Sequence, residues 1–372
     1  MRKYHLVSGD AHINEPPEMW QALPSKYAER APRLEHFAEG DAWVFEGSPS
    51  PINFGNNING GLPPEQCVPW KRWEDVPRAG YDPAARLESQ NKDGVDAEVL
   101  YPTPRQSMAV WATAQRDPDF HLALLRSYND WLAQYCGHSP DRLVGAAMIP
   151  TLGIDAAIKE LHRALATPGL QTPLLAQWPS SGSTIQSGDD RFWAAMVEIN
   201  RPVSIHISVS PGSNGDDDPN RTGLTARGEL RHTVTPNNCL ELINAGVFDR
   251  FPKLNVVFAE CDSSWVPYVK EQLDNRFQRT SPTLRPKIKE LPSYYFDHNI
   301  FTTYITDYYG VVNRHFIGVS QMMWSSDYPH MGADFPNSWK VIDTHFKDVP
   351  PEEKHSILAG NCVRVYRIGE PK

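Results

Sequence analysis

Residues 244–260 read NAGVFDRFPKLNVVFAE, and they contain the pattern that decides the fold. A segment with helical spacing, Asn237 to Ala245, leads through a short turn into the apolar run Leu254 to Ala259, which is followed at once by Glu260. A helix, a short connection and a buried strand that ends at a polar residue form one unit of an alternating β/α chain. The rest of the sequence repeats this unit.

The repeats predict eight strands, each a short β-branched or apolar run. They are Tyr4 to Ser8, Ala97 to Tyr101, Leu143 to Ile149, Leu170 to Ala176, Val203 to Val209, Leu254 to Ala259, Ile300 to Tyr304 and Gln321 to Ser325. Helical spacing lies between them at Phe120 to Cys136, Ile154 to Ala166, Arg191 to Asn200, Asn237 to Ala245, Trp265 to Arg279, Tyr308 to His315 and Pro351 to Ala359. This order predicts an α/β fold, a TIM-like (β/α)8 barrel. Because the fourth and seventh strands are weakly marked, a doubly wound open sheet is the alternative.

The length of the chain is compatible with one domain, because (β/α)8 barrels range from about 200 to 400 residues. We predict a single barrel domain over residues 1–372, with a long insertion at about 13–95 after the first strand. The insertion is rich in Asn, Gly, Pro and Trp, as ordered loops over a site often are. We expect it to cap an active site, and we expect a second insertion, 211–223, to act as a lid. Surface decoration is the alternative for both.

Composition excludes several classes of protein. There are 36 basic and 45 acidic residues, a formal net charge of −9, and no run of Lys or Arg, so a nucleic-acid partner is not expected. No stretch approaches the ~18 consecutive apolar residues of a membrane span, and the first residues form no signal-peptide core. We therefore expect a cytoplasmic protein with no membrane contact. The five cysteines form no CxxC pair, which argues against a disulfide framework or a zinc ribbon.

Polar residues lie at the ends of four predicted strands. Asp10 and His12 follow the first strand, His206 lies in the fifth, Glu260 follows the sixth and Asp327 follows the eighth. Residues i and i+2 of an extended chain point to the same side, so the first two can converge on one point. The carboxyl ends of barrel strands meet at one rim, and a carboxylate buried there needs a charged partner or a metal ion. Together these residues predict a metal-binding rim.

Several segments together resemble the amidohydrolase-related (amidohydrolase 2) family. They are DAHINEP at 10–16, the histidine of the fifth strand, NAGVFDRFPKLNVVFAE, WSSDYPH at 324–330 and GNCVRVY at 360–366. The resemblance implies a metal-dependent barrel in which Asp10, His12, His206 and Asp327 match the family's ligands from the first, fifth and eighth strands. Many members open with H-x-H, or with E-x-H among the aromatic acid decarboxylases, where this chain has Asp10. Decarboxylase members also carry a histidine where this chain has Glu260.

Further side chains are candidates for the site. Glu15 and His232 could add metal ligands, and His232 could also take part in catalysis, although a lone loop histidine is more often a surface residue. His330 could act as an acid or base, or cap a turn. Arg105 could bind a substrate carboxylate bidentately, or form a surface ion pair. Aromatic residues expected near the rim would favour a small flat acid, or pack in the core; they are Trp70, Trp178, Trp265, Tyr328 and Phe54.

Two histidines and two carboxylates suit Zn²⁺, Mn²⁺ or Fe²⁺. In a hydrolase, Asp327 or Glu260 would accept a proton from metal-bound water, which would attack a polarised carbonyl of the substrate. In a nonoxidative decarboxylase, the same site would hold an aromatic acid while a protein group protonates the ring carbon. Both hypotheses require a small-molecule substrate.

A third hypothesis follows from the number of possible ligands. Seven side chains could bind metal: Asp10, His12, Glu15, His206, His232, Glu260 and Asp327. That is more than one ion needs, so a dinuclear Fe/Fe or Mn/Fe centre of a monooxygenase is the alternative to a single ion. A non-enzymatic role is disfavoured because every position that the resemblance requires holds a competent donor. We also expect a homo- or hetero-oligomer, which is common for this barrel.

Overall fold

The structure, a computed structural model, describes residues 2–55, 57–209 and 234–370. Eight parallel strands form one sheet in the order β1-β4-β5-β6-β7-β8-β9-β10, and an antiparallel pair, β2 and β3, forms another. The barrel strands are β1 (Val7–His12), β4 (Ala97–Tyr101), β5 (Leu143–Met148), β6 (Leu170–Leu174), β7 (Val203–His206), β8 (Val256–Ala259), β9 (Ile300–Tyr304) and β10 (Met322–Trp324). β2 spans Arg33–His36 and β3 spans Asp41–Val44.

The first and last strands meet and bring the sheet close to a full barrel. The His12 N–H donates to the Tyr328 carbonyl at 2.9 Å, and the Asp327 N–H donates to the Asp10 carbonyl at 3.0 Å. A third hydrogen bond, from the Ser326 N–H to Ser8 Oγ at 2.8 Å, also joins the two segments. The predicted α/β class and (β/α)8 architecture are confirmed, and the open sheet is not.

All eight predicted strands exist, but the first one differs in position. It was predicted at Tyr4 to Ser8, whereas β1 runs over Val7–His12 and includes the polar residues that were expected to follow it. The strand continues because the His12 backbone pairs with Tyr101 and donates to Tyr328, and the Asp10 carbonyl accepts the Asp327 N–H. The polar side chains of Asp10 and His12 hid this continuation from a search for apolar runs. The predicted ends at Ile149, Ala176, Val209 and Ser325 lie one to three residues too far along the chain.

Helices surround the barrel. The longer ones are Pro83–Asp93, Pro104–Ala112, Pro118–Gly137, Ile154–Leu165, Asp190–Ile199, Thr235–Asn244, Val266–Arg279 and Ser338–His345. Shorter ones are Pro17–Gln21, Val247–Arg250, Pro292–His298, Tyr308–Val312, Arg314–Ile317, Pro351–His355 and Asn361–Tyr366. The helix predicted at Tyr308 to His315 is broken at Asn313, and the one predicted at Pro351 to Ala359 changes into a π-helical turn at Ser356–Gly360.

Two apolar layers hold the barrel. One lies between the strands and the surrounding helices. The other fills the barrel interior with residues such as Val99, Val257 and Phe301, and the C-terminal helix Asn361–Tyr366 packs into it. The interior below the rim is therefore filled by side chains, which leaves the carboxyl ends of the strands as the place for a site.

The residues between β1 and β4 contain regular structure that the sequence did not reveal. They include the helices Pro17–Gln21 and Pro83–Asp93, the β2/β3 hairpin and several 3₁₀ turns. This segment, called the excursion below, contacts the loop that follows β10, because the Gly60 N–H donates to the Pro329 carbonyl at 2.8 Å. Among the described residues, no helix has the length and apolar character needed to cross a membrane.

Candidate metal centre

Asp10 and His12 lie two residues apart on β1 and direct their side chains to the same side. Both are completely buried. His12 Nδ1 lies 2.9 Å from the Pro102 carbonyl oxygen, which can only accept a hydrogen bond, so Nδ1 carries the proton. The other ring nitrogen, Nε2, is therefore left with its lone pair, the arrangement of a metal-binding histidine.

The Nε2 atom of His12 lies at the centre of a cluster of possible metal-donor atoms. It lies 3.2 Å from His206 Nε2, 3.4 Å from Asp327 Oδ1 and 3.6 Å from Asp10 Oδ1. These atoms come from β1, from the end of β7 and from the loop after β10. The ends of strands far apart in sequence thus bring their donor atoms to one point of the rim, as the sequence predicted.

Glu260 joins the cluster from the end of β8. Its Oε2 lies 2.9 Å from His206 Nε2, which is also 3.7 Å from Asp10 Oδ2. The side chain of His206 is 14% exposed, whereas those of Asp10 and His12 are fully enclosed. Of these three residues, His206 is the one that a ligand entering from solvent reaches first.

His330 extends the cluster beyond Asp327. Its Nδ1 lies 2.9 Å from Asp327 Oδ1, and its ring stacks on that of His12 with 3.9 Å between centroids. His330 Nε2 is buried and has no hydrogen-bond partner among the described residues. A carboxylate and an imidazole in this contact can exchange a proton, so the pair can serve as an acid or a base.

The backbone at two of the carboxylates is strained. Glu260 has φ of 54° and Asp327 has φ of 53°, the left-handed region that residues with a side chain rarely adopt. Each such residue costs about 1–3 kcal/mol and persists where the surrounding structure enforces it, often at functional sites. Both follow barrel strands at the same rim, so the strain turns two carboxylates towards the cluster.

Burial and mutual repulsion shift the pKa values of the clustered groups. Burial raises the pKa of the Asp10 carboxyl to about 8, with nearby Asp327 and Glu260 adding to the rise. Burial also lowers the pKa of His12 well below its ordinary value. For His206, burial acts in the same downward direction, but Asp10 and Glu260 outweigh it and raise the pKa to about 9. A cation in their midst would remove the repulsion between the carboxylates.

The donor atoms fit a metal ion. Both carboxylate oxygens of Asp10 are buried and accept no hydrogen bond from the described residues. Two donors about 2.1 Å from one ion, at an angle of about 90–110°, lie about 3.0–3.4 Å apart, and the two Nε2 atoms are 3.2 Å apart. Two overlapping sets have donors within 4.8 Å of one another: Asp10, His12, His206 and Glu260, and His12, Glu260, Asp327 and His330.

The other candidates have different surroundings. Glu15 is in neither donor set; its Oε1 accepts a hydrogen bond from the Thr103 N–H at 2.8 Å, and its Oε2 is buried without a partner among the described residues. His232 and the insertion 211–223 lie outside the described residues. Arg105 donates to Asn53 Oδ1 at 2.8 Å and is half-buried.

The aromatic candidates contact other protein groups. Trp178 packs against Trp193, and the indole N–H of Trp265 donates to the Cys261 carbonyl at 2.8 Å. Tyr328 packs against Phe335 with 4.3 Å between centroids. The remaining two pair within the excursion, Phe54 with Trp73 and Trp70 with Phe37. These contacts are typical of packing residues, which was the alternative to a substrate-binding role at the rim.

Sequence reasoning missed the polar side chains behind the cluster. Arg86 and Glu98 are buried and joined, with 2.6 Å between Nε and Oε2. Gln90 Nε2 donates to the same oxygen at 2.8 Å. Arg86 and Gln90 are four residues apart, so they share one face of a helix, and that polar spacing is the signal that could have found them. It was hidden because the excursion was interpreted as loop.

Comparisons with known proteins agree with the fold and show the family. The sequence model of the family described as amidohydrolase matches residues 10–368. A gamma-resorcylate decarboxylase from Rhizobium radiobacter is 24% identical over 322 residues, which are 81% of this chain and 92% of the relative.

Solved structures give the same fold. An amidohydrolase from Mycobacterium avium subsp. paratuberculosis has a TM-score of 0.74 at 21% identity, covering 98% of this chain and 100% of the other. A dihydroxybenzoic acid decarboxylase from a Polaromonas species, solved with manganese and the inhibitor 2-nitroresorcinol, has a TM-score of 0.65 at 16% identity, covering 99% and 98%.

Proposed function

The chain belongs to the amidohydrolase family, and from this premise we propose that it catalyses the nonoxidative decarboxylation of a small aromatic acid, with one divalent metal ion. The observation that carries the proposal is the buried set of donor atoms from Asp10, His12, His206 and Glu260, together with Asp327 Oδ1, which lies 3.4 Å from His12 Nε2. Relatives that remove carboxyl groups from aromatic acids support the choice of reaction. Manganese in one of their structures makes Mn²⁺ the first metal to test, ahead of Zn²⁺ and Fe²⁺.

The bound ion would supply an electrophilic centre for the phenolate and carboxylate oxygens of the substrate. In the cleavage step, the bond between the ring carbon and the carboxyl group breaks and its electron pair stays on the ring carbon. Asp327 and His330, 2.9 Å apart, can hold the proton that this carbon needs. The ring carbon gains a hydrogen, carbon dioxide leaves, and no oxidant is consumed.

Burial of the cluster favours such a step. Asp10 and His12 are completely buried and the Asp327 side chain is only 3% exposed, so bulk water has little access to the proton donor. We propose that the excursion, at about 13–95, caps this site. Its hydrogen bond from Gly60 to the Pro329 carbonyl, next to His330, supports that role.

Incubation with Mn²⁺ and 2,6-dihydroxybenzoate, which is gamma-resorcylate, tests the reaction. We expect release of carbon dioxide and loss of the substrate's ultraviolet absorption. A panel of other hydroxybenzoates would locate the preferred ring pattern. Hydrolysis at the same centre is the competing reaction of the family; turnover of amide or lactone substrates, with no carbon dioxide from any acid in the panel, would favour it.

A dinuclear oxygenase is the second candidate, and one observation favours it. The two donor sets overlap at His12 and Glu260, and together they supply six side chains, more than one ion requires. The decarboxylase relatives give this candidate no support. Metal analysis of protein from Fe- and Mn-supplemented medium distinguishes the two: two equivalents of Fe or Mn favour the oxygenase, and one equivalent favours decarboxylation or hydrolysis.

Location and assembly are parts of the same proposal. We propose a cytoplasmic homo- or hetero-oligomer. Large apolar side chains on the outer surface support assembly, because Tyr309 is 72% exposed and Phe316 is 71% exposed. Light scattering of the purified chain would measure the mass of the assembly, and a monomer at micromolar concentration would contradict a homo-oligomer.

A further inference from the structure

A buried arginine from the excursion lies directly behind the metal centre. Arg86 belongs to the helix Pro83–Asp93 and is completely buried. Its Nη1 donates to the carbonyl oxygen of His12 at 2.8 Å, and its Nη2 donates to the carbonyl oxygen of Tyr328 at 3.0 Å. One guanidinium thus links the backbone of His12 to the backbone of Tyr328, the residue that follows Asp327.

These two carbonyls lie where the barrel closes. The Tyr328 oxygen also accepts the His12 N–H at 2.9 Å, so two donors hold it. The Arg86 guanidinium is 5.0 Å from the centre of the Tyr328 ring, within the range of a cation–π contact. β10 is only three residues long, and the segment after it depends on such contacts for its position.

A buried positive charge needs compensation, and Arg86 has it. Its Nε lies 2.6 Å from Glu98 Oε2 on β4, and Gln90 donates to the same oxygen. The charge is therefore balanced by groups outside the two donor sets, and both Nη atoms remain for the carbonyls. Lysine could not reproduce this, because its three donors leave from one atom while guanidinium presents a rigid, planar fork.

We propose that Arg86 is a positioning residue that sets the geometry of the metal ligands His12 and Asp327. The proposal rests on the proposed function, because it requires that these residues bind metal. Groups that orient metal ligands typically contribute about 10- to 100-fold to metal affinity. Removing the fork should therefore weaken metal binding even though Arg86 touches no donor atom of the cluster.

The first test is a calorimetric titration, in which Mn²⁺ alone is added to the full-length Arg86→Lys variant. We expect the dissociation constant for Mn²⁺ to rise about 10- to 100-fold. Hydrogen exchange of the His12 amide, which donates to Tyr328, should also become faster. Neither measurement requires a substrate.

Arg142→Lys is the matched control. Arg142 is also buried and also donates to two carbonyls, to Asp96 through Nε at 3.0 Å and to Val95 through Nη2 at 3.2 Å. It directly precedes β5, at the end of the barrel opposite the rim. We expect this variant to lose stability while its affinity for Mn²⁺ stays within about 2-fold of that of the wild type, because no ligand depends on it.

Chemical rescue separates a loss of ligand positioning from a general loss of protein stability. In Arg86→Ala, millimolar methylguanidinium should restore Mn²⁺ affinity, whereas methylammonium should not. If Arg86→Ala does not fold, the comparison of the two lysine variants still tests whether Arg86 positions the metal ligands. Equal Mn²⁺ affinity in Arg86→Lys and Arg142→Lys would overturn the positioning role alone. A wild-type protein that binds no Mn²⁺, Zn²⁺ or Fe²⁺ would overturn the proposed function and the positioning role together.

Discussion

The rim of the barrel and the layer of side chains directly below it differ in how their polar groups are satisfied. Ser204 and His206 lie two residues apart on β7. The Ser204 hydroxyl belongs to a satisfied network below the rim, 3.0 Å from the Tyr101 hydroxyl and 3.1 Å from the Tyr366 hydroxyl. His206 instead faces the carboxylates of Asp10 and Glu260.

This difference distinguishes polar groups that stabilise the fold from polar groups that can bind a ligand. Below the rim, each hydroxyl of the network has protein partners, so its burial costs little and it ties the C-terminal helix to the barrel. At the rim, the Asp10 oxygens lack hydrogen-bond donors and like charges crowd together. The hydroxyls of this network are satisfied by the protein, whereas the Asp10 oxygens are placed to bind a cation.

The largest effects are expected at the rim. His206→Ala and Asp327→Ala should each remove the metal and abolish turnover, because each deletes a donor close to His12 Nε2. The fold should remain, with a circular dichroism spectrum like that of the wild type, because the barrel core is untouched. Metal analysis after gel filtration measures the loss. Full metal occupancy in either variant would contradict its role as a ligand.

Glu260→Gln distinguishes three roles of Glu260: a ligand of the single ion, a general base, and a ligand of a second ion. Loss of the single ion would support the first role, because Glu260 belongs to the donor set of Asp10, His12 and His206. The amide keeps the size of the side chain but cannot accept a proton, so a general base would lose about 10²- to 10⁴-fold in turnover with one ion retained. Loss of one of two metal equivalents would instead support the dinuclear candidate. Parallel metal analysis and turnover of the same sample separate these outcomes.

Tyr366→Phe tests the satisfied network below the rim. The variant deletes a hydroxyl 3.0 Å from that of Tyr101 and 3.1 Å from Ser204 Oγ, leaving buried partners without it. We expect a loss of about 1–3 kcal/mol in the free energy of unfolding and unchanged metal affinity. Tyr309→Phe, on an exposed tyrosine, is the neutral control. Weakened metal binding in Tyr366→Phe would remove the contrast between the rim and the layer below it.

Glu15→Gln should have the smallest effect. The amide oxygen can still accept the Thr103 N–H, and Glu15 is in neither donor set. Metal content should be unchanged, and the free energy of unfolding should change by about 1 kcal/mol or less. A fall in metal content would return Glu15 to the list of ligands, where the sequence had placed it.

Much of the fold and of the rim could be predicted from the sequence. Apolar runs such as Ala97–Tyr101 and Ile300–Tyr304 mark strands residue by residue, because a parallel strand is buried on both faces. Polar residues within three positions of the end of such runs, as at Glu260 and Asp327, mark the rim, and closure of the barrel brings them together.

The rest depends on tertiary contacts that leave little local pattern. β1 continues through Asp10 and His12 because the backbone pairs with β4 and with the loop after β10. The excursion folds into a hairpin and helices whose buried faces include polar residues such as Arg86, so hydrophobic periodicity did not reveal them. The partner of Arg86, Glu98, lies inside the buried apolar run of β4, where no local pattern predicted an ion pair.

Anomalous diffraction at the manganese edge, from crystals of the Mn²⁺-loaded protein, tests the metal centre most directly. We expect a peak within about 2.5 Å of the Nε2 atoms of both His12 and His206, with a carboxylate oxygen of Asp10 in the same coordination sphere. A second peak between Glu260 and Asp327 would favour the dinuclear candidate. A fully loaded crystal with no peak between the two histidines would contradict the assignment of this rim as the metal centre.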